Sequence, residues 1–387
     1  MGELMVYITG VGTTTSIGTS INEIWDGLLN GVHGVKHITL FDTSKHINKN
    51  ACEITNLTDF ISPELSNFGR ATSMFIVALE DAIYDAGLSM EDLKKYRVGL
   101  SIGTTMGEIE PFESGYHHGL KGGPHVIADQ IYKKYQLSGP KWTLTNACAA
   151  GNFAIARAIE DINLGRADIV IAGGVDALSW AAFTGFSSLR AMSPDLCRPF
   201  DQDRKGIILG EGAGVLIIES DKHFQKRTNK PAKAKLLGYG INSDAHHITQ
   251  PDPNAIGAIK AMEDALEMGN TDKKHIKYVN AHGTGTQAND LMESKAINTL
   301  FNNKVKTSSI KGHIGHTLGA ASAIEAVICT KILETKLIPA TLNLKNKDIN
   351  CDIEVVAEKA VHLDSDYILS NAFAFGGVNS SILLGTI

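Results

Sequence analysis

With 387 residues, 43% apolar and 20% charged, the chain is long enough for one large domain or two smaller ones, each with a full core. A net charge of −6 with no long basic run makes nucleic acid a poor partner, and no apolar run approaches the roughly 18 residues of a membrane span. Five cysteines (Cys52, Cys148, Cys197, Cys329, Cys351) are spread apart without a C-x-x-C pair, which argues against a disulfide framework or a zinc site and for a reducing, cytoplasmic setting.

The opening MGELMVYITG has no basic region followed by a long apolar stretch, so no secretory signal is expected. Val6 stands where a myristoylation signal needs Ser or Thr. VYITGVG reads as a buried strand entering a glycine turn, and INEIWDGLLNG as an amphipathic helix ending at Gly31. TSMFIVALEDAIYDAG is a long buried helix closed by Gly87, and RVGLSIGT the next strand. A helix runs from Cys148 through Asn163, followed by the strand ADIVIAGG and the strand GEGAGVLIIES. KHFQKRTNKPAK is polar, charged and contains proline, which marks a boundary. The halves are expected at 1–232 and 233–387.

The second half repeats the order of the first. KAKLLGYGINSD is a strand, NAIGAIKAMEDALEMG a helix, IKYVNAHGTGT a strand ending in a polar loop, and a helix covers Asp290 to Leu300. VKTSSIKGHIGHTLGAASAIEAVICTKILETK then runs strand, loop and long helix, and DYILSNAFAFGGVNSSILLG forms two strands about a glycine turn. TLTNACAAGNFAIARAIEDI and SSIKGHIGHTLGAASAIEAVICTKIL share an extended entry, a polar turn and a helix start crowded with Ala and Gly. The pattern implies a duplicated α/β unit whose two central helices, one from Cys148 and one from near His316, approach closely.

On its own Cys148 reads as core packing, because cysteine is among the most commonly buried residues. At a helix start, however, free backbone N–H groups and the helix dipole favour its thiolate. His282 in NAHGTGT and His316 in KGHIGHTLGAA lie in glycine-rich turns at equivalent places, while His313 reads as a surface histidine. One cysteine and two histidines at strand ends or helix starts fall on the edge of an α/β fold where loops converge on ligands.

These residues carry a resemblance. ACAAG, AGGVDAL, SPDLCRPFDQDRKGIILGEGAG, VNAHGTGTQANDLMES, SSIKGHIGHTLGAA and SNAFAFGGVNSS, in this order nearly end to end, resemble the β-ketoacyl-acyl-carrier-protein synthases, type II elongating condensing enzymes. The resemblance implies a thiolase-like fold, a duplicated α/β core in five α-β-α-β-α layers, usually dimeric. It implies an acyltransferase in which Cys148 takes an acyl chain from a phosphopantetheine thioester. His282 and His316 would donate N–H bonds to the thioester oxygen of malonyl carrier protein as carbon dioxide leaves. The backbone N–H groups of Cys148 and Phe375 would receive the oxyanion of the second step.

The same resemblance makes Lys311 the motif lysine, with Glu293 and Asp290 supporting the local charge through a Lys–Glu pair. Read without it, NDLMES is an ordinary solvated helix face. It gives Thr284 and Thr286 to the pantetheine arm, where the bland reading is a capped turn. It makes Phe375 the gate of the acyl pocket and puts Met106 in its lining, although a buried Met or Phe is commonly plain core. The partner would be an acidic carrier protein docking on Arg70, Arg204 and Lys205. No metal and no cofactor beyond carrier-borne phosphopantetheine is implied.

Two departures stand out. The family's usual FGFGGTN is FAFGGVN here, with Ala374 and Val378 in place of Gly and Thr, and GRATSM replaces a stretch built around RKMD. Both hint at specialised polyene or polyketide elongation as against housekeeping fatty-acid synthesis. A chain-length-factor-like subunit would lack the nucleophile, so this chain reads as the active subunit, as a homodimer or beside such a partner. A degradative thiolase would need a second cysteine near the C-terminus, where FAFGG stands, and nothing suggests the peptide cleft of a cysteine protease.

Overall fold

The computed structural model describes residues 5–55, 57, 68–114, 121–227 and 230–387, so Met1–Leu4 of the N-terminal stretch lie outside the described residues. The first half contributes β1 (Val6–Thr15), β2 (Val35–His37), β3 (Asn50–Cys52), β4 (Val98–Gly103), β5 (Lys141–Leu144), β6 (Ile169–Asp176) and β7 (Gly212–Ser220). The second contributes β8 (Ala234–Ser243), β9 (Tyr278–Asn280), β10 (Lys306–Ser308), β11 (Leu337–Ile338), β12 (Glu354–Val355), β13 (Val361–His362), β14 (Tyr367–Ala374) and β15 (Val378–Gly385). Eleven strands hydrogen-bond in the order β12-β10-β9-β14-β15-β8-β1-β7-β6-β4-β5.

That order contains its own repeat. β1-β7-β6-β4-β5 and β8-β15-β14-β9-β10 place the strands of each half in the same sequence order, with the same parallel and antiparallel pairings. A short antiparallel contact of Val6–Ile8 with Ala234–Leu236 joins the two.

Alternation along the strands explains the layers, since neighbouring side chains point to opposite faces. Ile169, Ile171, Val215 and Ile217 face the helix Arg70–Asp85 and its core. Val170, Ala172, Leu216 and Ile218 face inward, where they share one core with Ile368, Ile382 and Leu384 of the other half. Leu369 and Leu383 face out again, onto the helices Ile256–Met268 and Gln287–Phe301. Between the two inward faces lie the helices Ala150–Asn163 and Ala321–Thr335, giving the five-layered thiolase-like arrangement.

The central helices meet almost backbone to backbone. A Cβ on Gly151 would fall 2.6 Å from the Ala323 nitrogen, and the Asn152 N–H donates to Ser322 Oγ at 2.9 Å. Small residues at their starts are therefore a packing requirement. One element differs from the sequence reading: Asp221–Arg227, which overlaps the polar boundary stretch KHFQKRTNKPAK, is a helix. Its Phe224 packs against Tyr7 and Ala232, and Arg227 reaches the buried carboxylate of Glu219 at 2.6 Å. Of these anchors, Tyr7 lies far outside any local window of sequence. Among the described residues no helix is long and apolar enough to cross a membrane.

Candidate active site

The turn before the first central helix positions Cys148. Ala147–Ala149 forms a single 3-10 turn that runs into the Ala150–Asn163 helix, so Cys148 sits just ahead of the helix, and Ala147 adopts φ 48°. A left-handed alanine costs about 1–2 kcal/mol, which the surrounding packing offsets. Cys148 is buried, and burial pushes its thiol up to about 12 against the pull of the Lys311 charge. A helix N-terminus stabilises a nearby anion by at most about 2 kcal/mol, too little to reverse that rise. Burial thus opposes the thiolate that the helix start favours.

His282 follows β9 and is tied on both sides of its peptide unit. Its N–H donates to Glu293 Oε1 at 2.8 Å, and its carbonyl accepts from Lys311 Nζ at 2.6 Å. His316 is held by backbone bonds to the Ile208–Gly210 segment. The two rings are 5.3 Å apart, edge to face. Burial, and after it the Lys311 charge, holds both well below the ordinary histidine value, so both are neutral near pH 7. The Leu318 N–H donates to His316 Nδ1 at 3.2 Å, which leaves the ring proton on Nε2. Among the described residues His282 Nδ1 has no protein partner.

Cys148, His282 and His316 line one cavity of about 360 Å³, together with Thr284, Thr286 and Phe375. Thr284 and Thr286 also bond each other at 2.9 Å, and Thr286 caps the Gln287–Phe301 helix, so the capped-turn reading and the pocket-lining position hold together. Phe375 is 39% exposed and stacks on Phe186, ring centroids 5.8 Å apart, on a turn whose Gly376 and Gly377 have φ 87° and 70°. Met106 is not in this lining; it packs with Phe183, Leu209 and Leu318 in a neighbouring apolar cluster.

The supporting charges differ from expectation. Lys311 pairs with Glu325, and both side chains are fully buried. Glu293 instead accepts the N–H groups of His282 and Gly283, each at 2.8 Å. Asp290 accepts from the N–H groups of Phe200, Thr284 and Gly285. Burial pushes the Glu293 and Glu325 carboxyls up to about 7. Sequence reading missed Glu325 because AASAIEAV looks like plain apolar helix.

Two of the three expected docking cations are structural. Arg204 is wholly buried, 2.7 Å from Asp348 and 3.6 Å from Asp290. Arg70 donates to buried Glu211 at 2.8 Å and to the Ile54 carbonyl at 2.7 Å. Lys205 is exposed and lines the cavity, as does exposed Arg190, which the sequence reading passed over. His313, read as a surface residue, is completely buried between the carbonyls of Val32 and Ala340 at 2.9 and 3.1 Å.

Comparison with known proteins bears on this site. Residues 5–223 match the β-ketoacyl synthase N-terminal domain, and residues 233–345 its C-terminal domain. The chain is 34% identical to a 3-oxoacyl-[acyl-carrier-protein] synthase 2 of Coxiella burnetii, with all of both chains covered. It superposes on a structure described as the ishigamide ketosynthase/chain length factor with a TM-score of 0.92, 35% identity and full coverage of both chains. A β-ketoacyl synthase from Burkholderia phymatum STM815 gives a TM-score of 0.91 at 33% identity, over 99% of this chain and 100% of that one.

Proposed function

We propose, from the premise that this chain belongs to the β-ketoacyl synthase family of condensing acyltransferases, that it elongates an acyl chain by decarboxylative condensation through an acyl-Cys148. The observation that carries this reading is one cavity holding Cys148 beside two neutral histidines whose rings are 5.3 Å apart. Both substrates would arrive as phosphopantetheine thioesters on an acyl carrier protein, the group that the name of the Coxiella relative includes.

In the first step Cys148 Sγ attacks the acyl carbonyl, the bond to the pantetheine sulfur breaks, and the thiol proton leaves with that sulfur. In the second, the malonyl carboxyl leaves as carbon dioxide and its electron pair passes to the thioester oxygen. Nε2–H of His316 and a ring N–H of His282 stabilise that enolate oxygen. The carbanion attacks the acyl carbon on Cys148, a carbon–carbon bond forms, and the sulfur leaves and is reprotonated. The N–H groups of Cys148 and Phe375 receive the oxyanion in between. Neutral rings suit this role, because each presents a donor without an acidic proton to quench the carbanion.

Thr284 and Thr286 would hold the pantetheine arm, Phe375 would gate the acyl pocket, and exposed Lys205 and Arg190 would meet the acidic carrier. Lys311 supports the site by anchoring the His282 carbonyl. The halves 1–232 and 233–387 would carry the nucleophile and the histidines respectively. A second reading keeps the chemistry and changes the assembly: a ketosynthase active only beside a chain-length-factor-like subunit, favoured by likeness to the ishigamide ketosynthase/chain length factor.

The test separates the two half-reactions. His282→Ala or His316→Ala is expected to lower decarboxylation of malonyl carrier protein by about 10²–10³-fold and to spare most acyl transfer to Cys148. Equal loss of both steps would refute the assigned roles.

A further inference from the structure

The two central helices begin alike. The turn Ala147–Ala149 leads into Ala150–Asn163, and Leu318–Ala320 leads into Ala321–Thr335. Each turn opens on a non-glycine residue in the left-handed region, φ 48° at Ala147 and 51° at Leu318. Gly319 thus holds in the second half the place of Cys148 in the first. The adjoining ladders agree: Asp176 pairs with Gly212 at the end of β6–β7, as Ala374 pairs with Val378 at the end of β14–β15. Asp176 is the counterpart of Ala374, which lines the Cys148 cavity.

Asp176 is fully buried, and its carboxylate gathers four donors from two other segments. Oδ1 accepts from Thr104 Oγ1 at 2.9 Å and the Met106 N–H at 2.8 Å; Oδ2 accepts from the Thr105 N–H at 2.8 Å and the Gly319 N–H at 2.7 Å. The N–H that corresponds to that of Cys148 therefore binds a carboxylate oxygen. A Cβ on Gly319 would lie 2.8 Å from Asp176 Oδ2 and 2.7 Å from the Thr105 nitrogen, so the approach requires glycine. The residue before it, Leu318, donates its N–H to His316 Nδ1.

We propose that Asp176 is a positioning residue for the decarboxylation step: its carboxylate holds the Leu318–Gly319 turn, and that turn holds the His316 ring in its Nε2–H tautomer. This rests on the reading of His316 as an enolate donor. An asparagine at 176 keeps the shape but turns one acceptor oxygen into an NH₂: facing the Thr105 and Gly319 N–H groups it loses both bonds, and facing the Met106 N–H and the Thr104 hydroxyl, which can turn to accept, it loses one.

The experiment compares wild type with Asp176→Asn in two rates, acyl transfer to Cys148 and decarboxylation of malonyl carrier protein, and in ¹⁵N-histidine spectra of the His316 ring. Decarboxylation is expected to fall about 10- to 100-fold while acyl transfer stays within about threefold, and signal from the Nδ1–H tautomer appears. Retained decarboxylation with an unchanged tautomer, or equal loss of both rates, would overturn the proposal. If Asp176→Asn does not fold, Thr104→Val removes one donor to Asp176, together with the acceptor of the Gly107 N–H, and keeps the carboxylate. It should show the same split at smaller size, and an equal loss of both rates would count against Asp176. A wild-type protein that acylates Cys148 yet never decarboxylates would sink the His316 reading and the role of Asp176 with it. A wild type that decarboxylates beside an Asp176→Asn variant with unchanged rate and tautomer would overturn the Asp176 proposal alone.

Discussion

Cys148, His282 and His316 were legible as candidates because each stands in a small-residue turn at a strand end or helix start, and the fold brings such places to one edge. Their support was less legible. Lys311 finds Glu325, 14 residues on, and not Glu293, because the Ala321–Thr335 helix turns Glu325 inward beside it. Arg70 and Arg204 look like surface cations in sequence, yet their carboxylate partners Glu211 and Asp348 are 141 and 144 residues away, a distance that only the fold closes. The buried rings also carry a pH signature. Below pH 6.5 an unfolded chain protonates these histidines while the folded one keeps them neutral, so the unfolded state binds more protons and stability falls as pH drops. The raised carboxyls of Glu293 and Glu325 act in the opposite sense, taking up protons in the folded state. The histidine contribution is therefore read as a difference. Between pH 6.5 and 5.5 wild type should lose about 1 kcal/mol more stability than His316→Ala in denaturant titrations. Identical slopes would mean that His316 is not held neutral.

At the scale of elements, the alternation of strands and helices and the internal repeat were readable from apolar periodicity and glycine stops. The Asp221–Arg227 helix was not, since its anchors Tyr7 and Glu219 lie outside the segment. The repeated Ala and Gly at the two central helix starts turned out to serve backbone contact between them. Gly151→Val would drive a branched side chain into Ala323, whose nitrogen and Cβ lie 2.6 and 2.9 Å from the new Cβ. It should destabilise the protein by about 1–3 kcal/mol or more. Gly185→Ala, in the helix Trp180–Ser188 where a Cβ meets nothing within 4 Å, should leave stability unchanged or raise it by up to about 1 kcal/mol. Equal thermal midpoints for Gly151→Val and wild type would contradict the backbone-contact account.

For the whole molecule, duplication explains why the site is split between halves. One half brings a strained turn with the cysteine, the other brings the two histidines, and the interleaved central helices put them against one cavity. The second turn keeps the same geometry but is closed by Asp176, so one of two equivalent places opens onto a cavity. Assembly and acyl chain were the parts least legible in the sequence, because both depend on surfaces whose partners are other molecules. The measurement that bears most directly on the account is native and peptide-level mass spectrometry of the purified chain, incubated first with an acylated carrier protein and then with malonyl carrier protein. The account predicts an acyl adduct on the peptide containing Cys148, absent in Cys148→Ala, that is discharged as β-ketoacyl carrier protein appears. It is contradicted by condensation that persists in Cys148→Ala, or by an adduct on any of the other four cysteines in its place.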